Sequence, residues 1–413
     1  MDGELYFIAD DGTSDRELWK SDGTSAGTVR VKDVWGGKTS STPELLTAAG
    51  SVLFFSANDG TTGKELWRSD GTEPGTYRVK DILTGTAHSD PKALTSFKGS
   101  LYFTADVEGL GRELWVSDGS PSGTRLFLDI FPGVPGSSPA QLVPMNEALL
   151  FDAHNGIHGT ELWTSDGTPE GTRLLKDIQP GSLSSSPHDM QALDGRLYFN
   201  ANDGLKGFEP WTSDGTPEGT RLLKDIWVAG ASGNSLNRGF VPFNGQVFFG
   251  ASNGSGTTLW RTDGTTAGTV SAANVAPYFD RDFALTPGFF YFPGYIGTSN
   301  DIELLKSDGT ATGTVLVKDI APGFSSAPDD FALLDGVLYF SAGENPTPRR
   351  GLWRSDGTGT GTQQVKQLPA GAGSFNPRFL TEVNGILLFL AYDPEGVATS
   401  CGEAMGRWRA RTG

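Results

Sequence analysis

A unit of about 48 residues repeats along this chain, and the repeat restricts the possible fold more than any other feature. A tryptophan recurs at the same place in each unit, with Leu305 standing where one of them is missing. The tryptophans are Trp19, Trp67, Trp115, Trp163, Trp211, Trp260 and Trp353. A period of this length is typical of solenoids and propellers.

Each unit contains four short segments that are rich in β-branched and aromatic residues. In the second unit they are PELLTAAG (43–50), SVLFFSAN (51–58), KELWRSD (64–70) and GTYRVKDI (75–82). Turn-forming Gly, Asn and Asp separate such segments, which predicts antiparallel strands, and no stretch has the periodicity of a helix. Four strands in each unit are typical of a β-propeller blade, so we predict an all-β fold.

The number of copies predicts eight blades. The second segment recurs from residue 5 to residue 387, which is about eight periods. We therefore expect residues 1–384 to form a single eight-bladed β-propeller of four-stranded antiparallel blades. The first unit lacks its opening strand, and we expect 377–383 to supply it, so that pairing of the chain ends closes the ring. Residues 385–413 look like a degenerate partial repeat that closes or caps the ring.

Charge and cysteine content restrict the partners. The net charge of −17 disfavours nucleic acid and anionic membranes, because both would be repelled. A single cysteine excludes an intrachain disulfide and a cysteine-based metal cluster. No apolar run is long enough to span a bilayer, and the start MDGELYF does not look like a signal peptide. We expect a monomer, and an exported protein would have lost its signal.

The strings ELWKSDGT, ELWRSDGT, ELWVSDGS and ELWTSDGT resemble the bacterial ELWxxDGT-repeat family. The resemblance covers nearly the whole chain at regular spacing. It implies an exported or surface-associated protein without an established activity, so we expect a secreted or cell-surface location.

A second resemblance is to the tryptophan-docking motif of pyrroloquinoline-quinone propellers. The matching residues are Ala57, Asp59, Thr62, Gly63, Lys64 and Trp67. The resemblance implies a structural role, in which each tryptophan packs between neighbouring blades, and it agrees with eight blades. Many of those enzymes have a vicinal disulfide at the cofactor site, which one cysteine cannot form. We therefore assign no cofactor from this motif.

Two repeated residue types have both a structural and a binding interpretation. The tryptophans are either sugar-stacking platforms or core residues that fill the wedge between blades, and we favour the core. The aspartates of the SDGT turns either cap those turns or bind calcium, and capping is favoured because one carboxylate and one hydroxyl are too few ligands. Better calcium candidates lie in the ADDG and ANDG turns, at Asp10, Asp11, Asp59 and Asp203.

The turns between the second and third segments share one face with the long connections between units, and this face varies most. Binding residues usually lie in loops on a rigid scaffold. The copies between 226 and 300, together with 343–351, depart most from the repeat. Their candidate ligand-binding residues are Trp227, Asn237, Arg238, Tyr278, Phe279, Arg281, Asp282, Tyr295, Arg349 and Arg350. Drift of relaxed repeats would produce the same pattern.

Two classes of function remain. The first is a non-enzymatic binding or adhesion propeller that engages a glycan, a surface polymer or a protein through the variable face. The alternative is a propeller enzyme, such as a hydrolase, lyase or quinoprotein-like oxidoreductase, at the mouth of the central channel. No catalytic motif is recognisable, but acids that converge from separate blades would leave none. The sequence favours the binding protein.

Overall fold

The computed structural model describes residues 1, 3–10, 16–37, 39–228, 235, 238–278, 283–295, 301–344, 349–365, 376–383, 385–392 and 403–408. The described residues contain strands and turns and no helix. The strands form nine antiparallel sheets, most of them four-stranded, which is a β-propeller-like all-β fold. The prediction of an all-β chain of repeated four-stranded units is confirmed.

Sheets 1 to 5 lie in the part of the chain that ends at Leu222, which is one compact unit. Their strands, in chain order, are as follows. Sheet 1 has β1 (Leu5–Asp10), β2 (Arg16–Ser21) and β3 (Val29–Lys32). Sheet 2 has β4 (Glu44–Ala49), β5 (Val52–Asn58), β6 (Lys64–Ser69) and β7 (Tyr77–Lys80). Sheet 3 has β8 (Lys92–Phe97), β9 (Ser100–Val107), β10 (Gly111–Ser117) and β11 (Arg125–Leu128). Sheet 4 has β12 (Ala140–Met145), β13 (Ala148–Ala153), β14 (Glu161–Ser165) and β15 (Arg173–Lys176). Sheet 5 has β16 (His188–Leu193), β17 (Arg196–Asn202), β18 (Phe208–Ser213) and β19 (Arg221–Leu222).

Sheets 6 to 9 lie in the second compact unit. Sheet 6 has β20 (Arg238–Phe243), β21 (Gln246–Ser252), β22 (Thr257–Thr262) and β23 (Val270–Ala273). Sheet 7 has β24 (Ala276–Pro277), β25 (Ala284–Leu285), β26 (Phe290–Tyr295), β27 (Ile302–Ser307) and β28 (Val315–Lys318). Sheet 8 has β29 (Asp329–Leu334), β30 (Val337–Glu344), β31 (Arg349–Ser355) and β32 (Gln363–Gln364). Sheet 9 has β33 (Arg378–Val383), β34 (Ile386–Tyr392) and β35 (Glu403–Trp408).

Turn chemistry explains the hairpins. The first two strands of sheet 5 are joined at Asp194 and Gly195, whose φ angles are +49° and +75°. Two consecutive positive φ angles make the tight turn that matches the strand twist, and Asp-Gly adopts them at low cost. In the SDGT turn of sheet 2, Asp70 accepts hydrogen bonds from the backbone N–H and hydroxyl of Thr72. A Cβ on Gly75 would lie 2.0 Å from the Asp70 carboxylate, so the turn requires glycine there.

The core lies between neighbouring sheets. One cluster joins Phe54 and Leu66 of sheet 2 to Phe103 and Trp115 of sheet 3. Another joins Tyr102 of sheet 3 to residues of sheet 4 that include Trp163. Both faces of an inner sheet are therefore apolar, because each sheet packs on the sheet before it and the sheet after it.

The closing segment differs from the expectation. β33 pairs with β34, and β34 pairs with β35, so residues 378–383 form a ninth sheet with the chain that follows. The expected boundary at 384 falls inside the hairpin of this sheet. The ILLFLAY sequence of β34 is an apolar strand that lies directly after β33, and a hairpin to an adjacent strand requires less loop closure than pairing with a strand at the other end of the chain.

Candidate functional site

Six of the seven repeated tryptophans are buried, and Trp19 is half-buried. Trp67, Trp115 and Trp211 are each 6% exposed, and Trp163 donates its indole N–H to the carbonyl of Ala153 at 2.9 Å. Trp353 lies in the cluster that joins sheets 7 and 8. Leu305, which takes the place of a tryptophan, lies in the cluster that joins sheets 6 and 7. Buried rings of this kind offer no face to a sugar.

The expected ligand-binding residues are brought together only in part. Tyr278 and Tyr295 make an edge-to-face contact with ring centroids 6.2 Å apart, and the Tyr278 N–H donates to the carbonyl of Pro293. Asn237, Phe279, Arg281 and Asp282 lie outside the described residues, as do the side chains of Arg238 and Arg349.

Trp227 occupies a repeated scaffold position. The Trp227 ring packs against Gly254 in the next turn. A Cβ on Gly254 would lie 2.8 Å from the indole nitrogen, too close for any residue other than glycine unless the ring moved. Trp35 packs on Gly60 in the same way, and Phe131 packs on Gly156. These contacts join the loop after one sheet to a turn of the next, so Trp227 has a structural role.

Arg350 is engaged within its own sheet. Its guanidinium pairs with Asp329 and donates to the carbonyls of Ala327 and Ser341 and to the Ser341 hydroxyl. These contacts join β31 to the start of β29. The side chain is therefore already committed to four acceptors of the protein.

The calcium candidates within the described residues cap turns. The Asp59 carboxylate accepts hydrogen bonds from the backbone and hydroxyl groups of Thr61 and Thr62, and Asp203 accepts from the N–H groups of Leu205 and Lys206. Burial raises the pKa of Asp59, but these hydrogen bonds lower it more, so the carboxyl is ionised. Asp10 is the last residue of β1, and Asp11 lies outside the described residues. Among the described residues, no three carboxylate, histidine or cysteine side chains are grouped to hold a metal ion.

The glutamate of each ELW string has a role that the repeat pattern did not reveal. Glu161 is fully buried and accepts hydrogen bonds from the N–H of Ile178 and from the N–H and hydroxyl of Ser185. The carbonyl of Ser185 then accepts from the N–H of Asn202 in sheet 5. This Glu–Ser clamp fixes the connection between two sheets. The same contacts to the serine are made by Glu17, Glu65, Glu113 and Glu303. A glutamate that recurs 23 or 24 residues before a serine was the available signal.

A second buried acid stands apart from the repeat. Asp152 lies in β13, opposite Ala140 on one side and Leu162 on the other, and is 8% exposed. Its Oδ1 is buried and has no hydrogen-bond partner. Burial raises the pKa of Asp152 to about 7, although hydrogen bonds from its own backbone and from Gln141 oppose the shift. This carboxyl can therefore gain and lose a proton near neutral pH.

Gln141 connects this acid to the next sheet. Its side-chain amide donates to the carbonyl of Pro187 at 3.0 Å, and its side-chain oxygen accepts from the N–H of Met190 at 3.2 Å. Gln141 has a φ of +46°, at the bulge where β12 leaves the regular register with β13. The bulge turns the side chain toward the segment that begins sheet 5.

That segment carries a second carboxylate. Asp189, whose side chain is 51% exposed, accepts a hydrogen bond from the amide of Asn200 and lies 4.0 Å from the imidazole of His188. Asp189 has a φ of +52° at the corresponding bulge of β16. Two neighbouring sheets thus contribute one buried acid and one solvated acid, and Gln141 contacts both Asp152 and the backbone of the segment that bears Asp189. We call Gln141, Asp152, His188, Asp189 and Asn200 the sheet 4–5 cluster.

Sequence reasoning missed Asp152, although a signal was present. The corresponding positions of the other units, read from their partners in the third strands, are Ile8, Ser56, Thr104, Asn200, Gly250, Pro293, Ser341 and Leu390. Asp152 is the only carboxylate among the nine. A carboxylate inside a strand that is otherwise apolar was the sign to look for.

No family model and no curated protein matches the chain, so membership of the ELWxxDGT-repeat family stays a prediction. The described residues include no helix long and apolar enough to cross a membrane.

The chain is similar to several solved enzyme structures at low identity. A puromycin hydrolase is 15% identical, with a TM-score of 0.44, over 84% of this chain and 58% of that one. A structure from work on two prolyl endopeptidases is 11% identical, with a TM-score of 0.48, over 95% of this chain and 53% of that one. A puromycin-hydrolyzing peptidase of Mycobacterium tuberculosis is 12% identical, with a TM-score of 0.42, over 87% of this chain and 60% of that one. The chain therefore spans little more than half the length of these proteins.

The expectation of a non-enzymatic binding or adhesion propeller is corrected by this comparison. The similar structures are hydrolases and peptidases. Similarity at this level does not transfer an activity, because a fold of this kind hosts many chemistries. The activity has to be argued from the residues of this chain.

Proposed function

We propose that this chain is a β-propeller hydrolase, or the propeller part of one, in which Asp152 transfers the proton and Asp189 supplies the second carboxyl group. The observation that carries the proposal is the buried Asp152 carboxyl with an unpartnered Oδ1, joined through Gln141 to the segment that bears Asp189. Hydrolysis needs one group that donates a proton to the leaving atom and another that activates water or stabilises positive charge.

The different surroundings of the two acids support this division of roles. Asp152 is enclosed by apolar strands, which favours its neutral form, while Asp189 is half exposed and held by the amide of Asn200. Two acids in such different environments are typical of general acid–base pairs. A pKa of about 7 for Asp152 would let it act as acid or base at neutral pH.

Turnover of chromogenic substrates tests the proposal. The full chain would be assayed from pH 5 to 9 with 4-nitrophenyl glycosides, 4-nitrophenyl esters and aminoacyl 4-nitroanilides. We expect hydrolysis of one class with a limb of the pH profile near 7, and a loss of about 100-fold or more in kcat for Asp152→Asn. Asp189→Asn should lower kcat as well.

Glu147→Gln is the matched control, because Glu147 belongs to the same sheet and its side chain is 92% exposed. It should leave kcat unchanged. The absence of turnover with all three classes, or an Asp152→Asn variant as active as the parent, would overturn the proposal.

We further propose that the sheets are the blades of an eight-bladed ring. Support comes from the strand inventory of the described residues, in which a fourth strand occurs eight times, from β3 to β32. β33 would then complete sheet 1 in the ring, in competition with its pairing to β34. Deletion of 385–413 tests this: the shortened chain should keep the Tm of the full chain, and a clear loss of Tm would refute ring closure by β33.

A further inference from the structure

A row of exposed apolar side chains lies on the face that carries the long connections of sheets 3 to 5. Val134, Ile157, Leu183 and Leu205 are 74%, 72%, 63% and 73% exposed. Val134 and Leu183 lie in the loops after β11 and β15, and Ile157 and Leu205 lie in turns of sheets 4 and 5. We call these four residues the apolar row.

Close contacts bring together the loops and turns that carry these four side chains. A Cβ on Gly156 would lie 2.4 Å from the ring of Phe131, which puts the loop of Val134 against the turn of Ile157. A Cβ on Gly159 would lie 2.2 Å from the carbonyl of Leu183, which puts that turn against the next loop. Gly204 packs in the same way on Gln179, which puts the turn of Leu205 against the loop that carries Leu183.

The fold does not require apolar residues at these places. In sheet 2 the turn residue corresponding to Ile157 and Leu205 is Thr61, and the loop residue corresponding to Val134 is Thr86, both exposed. The turn of sheet 2 therefore forms with a polar side chain at the position of Ile157 and Leu205. Contiguous exposed apolar residues of this kind are often binding surfaces, because they remain in water only at a cost in free energy.

The charge around the row identifies the partner. The same turns and loops carry Glu108, Asp129, Asp177 and Asp203, together with one lysine, Lys206, and two histidines, His154 and His158. Asp177 pairs with His158 at 3.1 Å and Asp203 caps its own turn, and the four acids still outnumber the single lysine. The net charge of the chain, −17, has the same sign. An anionic membrane would be repelled, and a second copy would bring the same carboxylates against themselves. A polypeptide segment with apolar side chains and flanking lysines or arginines is complementary to this surface.

We propose that the apolar row is a docking surface for a polypeptide segment that combines apolar and basic side chains. The apolar side chains of the segment pack on the row, and its basic groups lie near the surrounding carboxylates. The proposal goes beyond the hydrolase function and does not depend on Asp152.

Fluorescence anisotropy with three labelled peptides tests the docking surface. The peptides are repeats of Leu-Lys-Gly, Leu-Glu-Gly and Ser-Lys-Gly of equal length, titrated with the full chain at about 0.15 M salt. We expect the Leu-Lys-Gly peptide to bind at least about tenfold more tightly than either of the others. Equal binding of the Leu-Glu-Gly or the Ser-Lys-Gly peptide would overturn the charge argument or the apolar argument, respectively, and with it the proposal.

Variants locate the binding. Ile157→Ser combined with Leu205→Ser should weaken the Leu-Lys-Gly peptide at least about tenfold. Val29→Ser combined with Val315→Ser is the matched control, because these valines are 40% and 39% exposed and lie outside the row. Asp152→Asn should bind as the parent does, which separates this surface from the sheet 4–5 cluster. Unchanged affinity of the Ile157/Leu205 variant, or concentration-dependent self-association through the row, would refute the proposal.

Discussion

Sheets 3 and 4 have the same strand order and register, yet they carry different side chains at the position opposite Leu114 in sheet 3 and Leu162 in sheet 4. In sheet 3 this position is Thr104, and Arg112 donates to both its carbonyl and its hydroxyl at 3.3 and 3.2 Å. In sheet 4 it is Asp152, and the place of the arginine is taken by Thr160. Sheet 8 repeats the arrangement of sheet 3 with Ser341 and Arg350.

The comparison shows how a repeated scaffold produces a reactive group. In sheet 3 a cation and a hydroxyl satisfy each other, and the arginine also pairs with Asp106 at 2.6 Å. In sheet 4 the carboxyl is buried with Oδ1 unsatisfied, a state that costs stability. Two side-chain differences, Asp152 for Thr104 and Thr160 for Arg112, are therefore enough to produce a buried, unsatisfied carboxyl. No unusual loop is required.

The largest expected effect belongs to the Glu–Ser clamp, which both sheets share. Glu113→Ala and Glu161→Ala should each lower the free energy of unfolding by about 3–5 kcal/mol, because three buried donors lose their acceptor. Urea denaturation monitored by tryptophan fluorescence measures this. Equal losses would show that the clamp contributes equally to sheets 3 and 4, whereas a loss below about 1 kcal/mol would contradict the role of the clamp.

The second effect is confined to sheet 4 and depends on pH. The folded-state pKa of Asp152, about 7, exceeds the ordinary value of 3.8, so the folded chain binds more protons than the unfolded chain between these values. Stability attributable to this residue therefore falls as pH rises from about 4 to 7 and stays low above that. The full shift corresponds to roughly 4 kcal/mol at 1.36 kcal/mol for each pH unit.

Asp152→Asn removes this titration. The stability gain of the variant should be larger at pH 8 than at pH 4 by about 3 kcal/mol, somewhat less than the full shift because the side chain retains some exposure. Denaturation at the two pH values measures it, and Glu147→Gln should show no such difference. A gain that is the same at both pH values would mean that Asp152 does not titrate near neutral pH.

The smallest effect tests the arginine of sheet 3. Arg112→Ala should cost about 1–2 kcal/mol, because Thr104 loses a donor and Asp106 loses its partner while the arginine side chain is 16% exposed. The same substitution at Lys92, whose side chain is 59% exposed in an ion pair with Asp90, should cost less than about 1 kcal/mol. Indistinguishable Tm values for Arg112→Ala and the parent would remove the contrast between the sheets.

Repetition made the scaffold predictable from the sequence. The spacing of Trp67, Trp115 and Trp163 identified units of one type, and Asp-Gly pairs such as Asp194 and Gly195 located the hairpins because few other residues adopt positive φ angles there. The pairing of β33 was not predictable in this way. Both ends of the chain offer a similar apolar strand, and local pairing with β34 prevailed.

The candidate site depended on burial and on contacts between sheets. The sequence by itself determined the all-β class, the strand order of each unit and the face that carries the variable connections, because strand alternation and turn chemistry are local properties. It did not distinguish Asp152 from the many other aspartates. Only the tertiary structure decided that Asp152 is enclosed between sheets, that Gln141 reaches Pro187 and Met190, and that Asp189 follows in the next sheet. The physical reason is that desolvation depends on what packs against a side chain, and the folded arrangement of the strands and sheets decides what packs there.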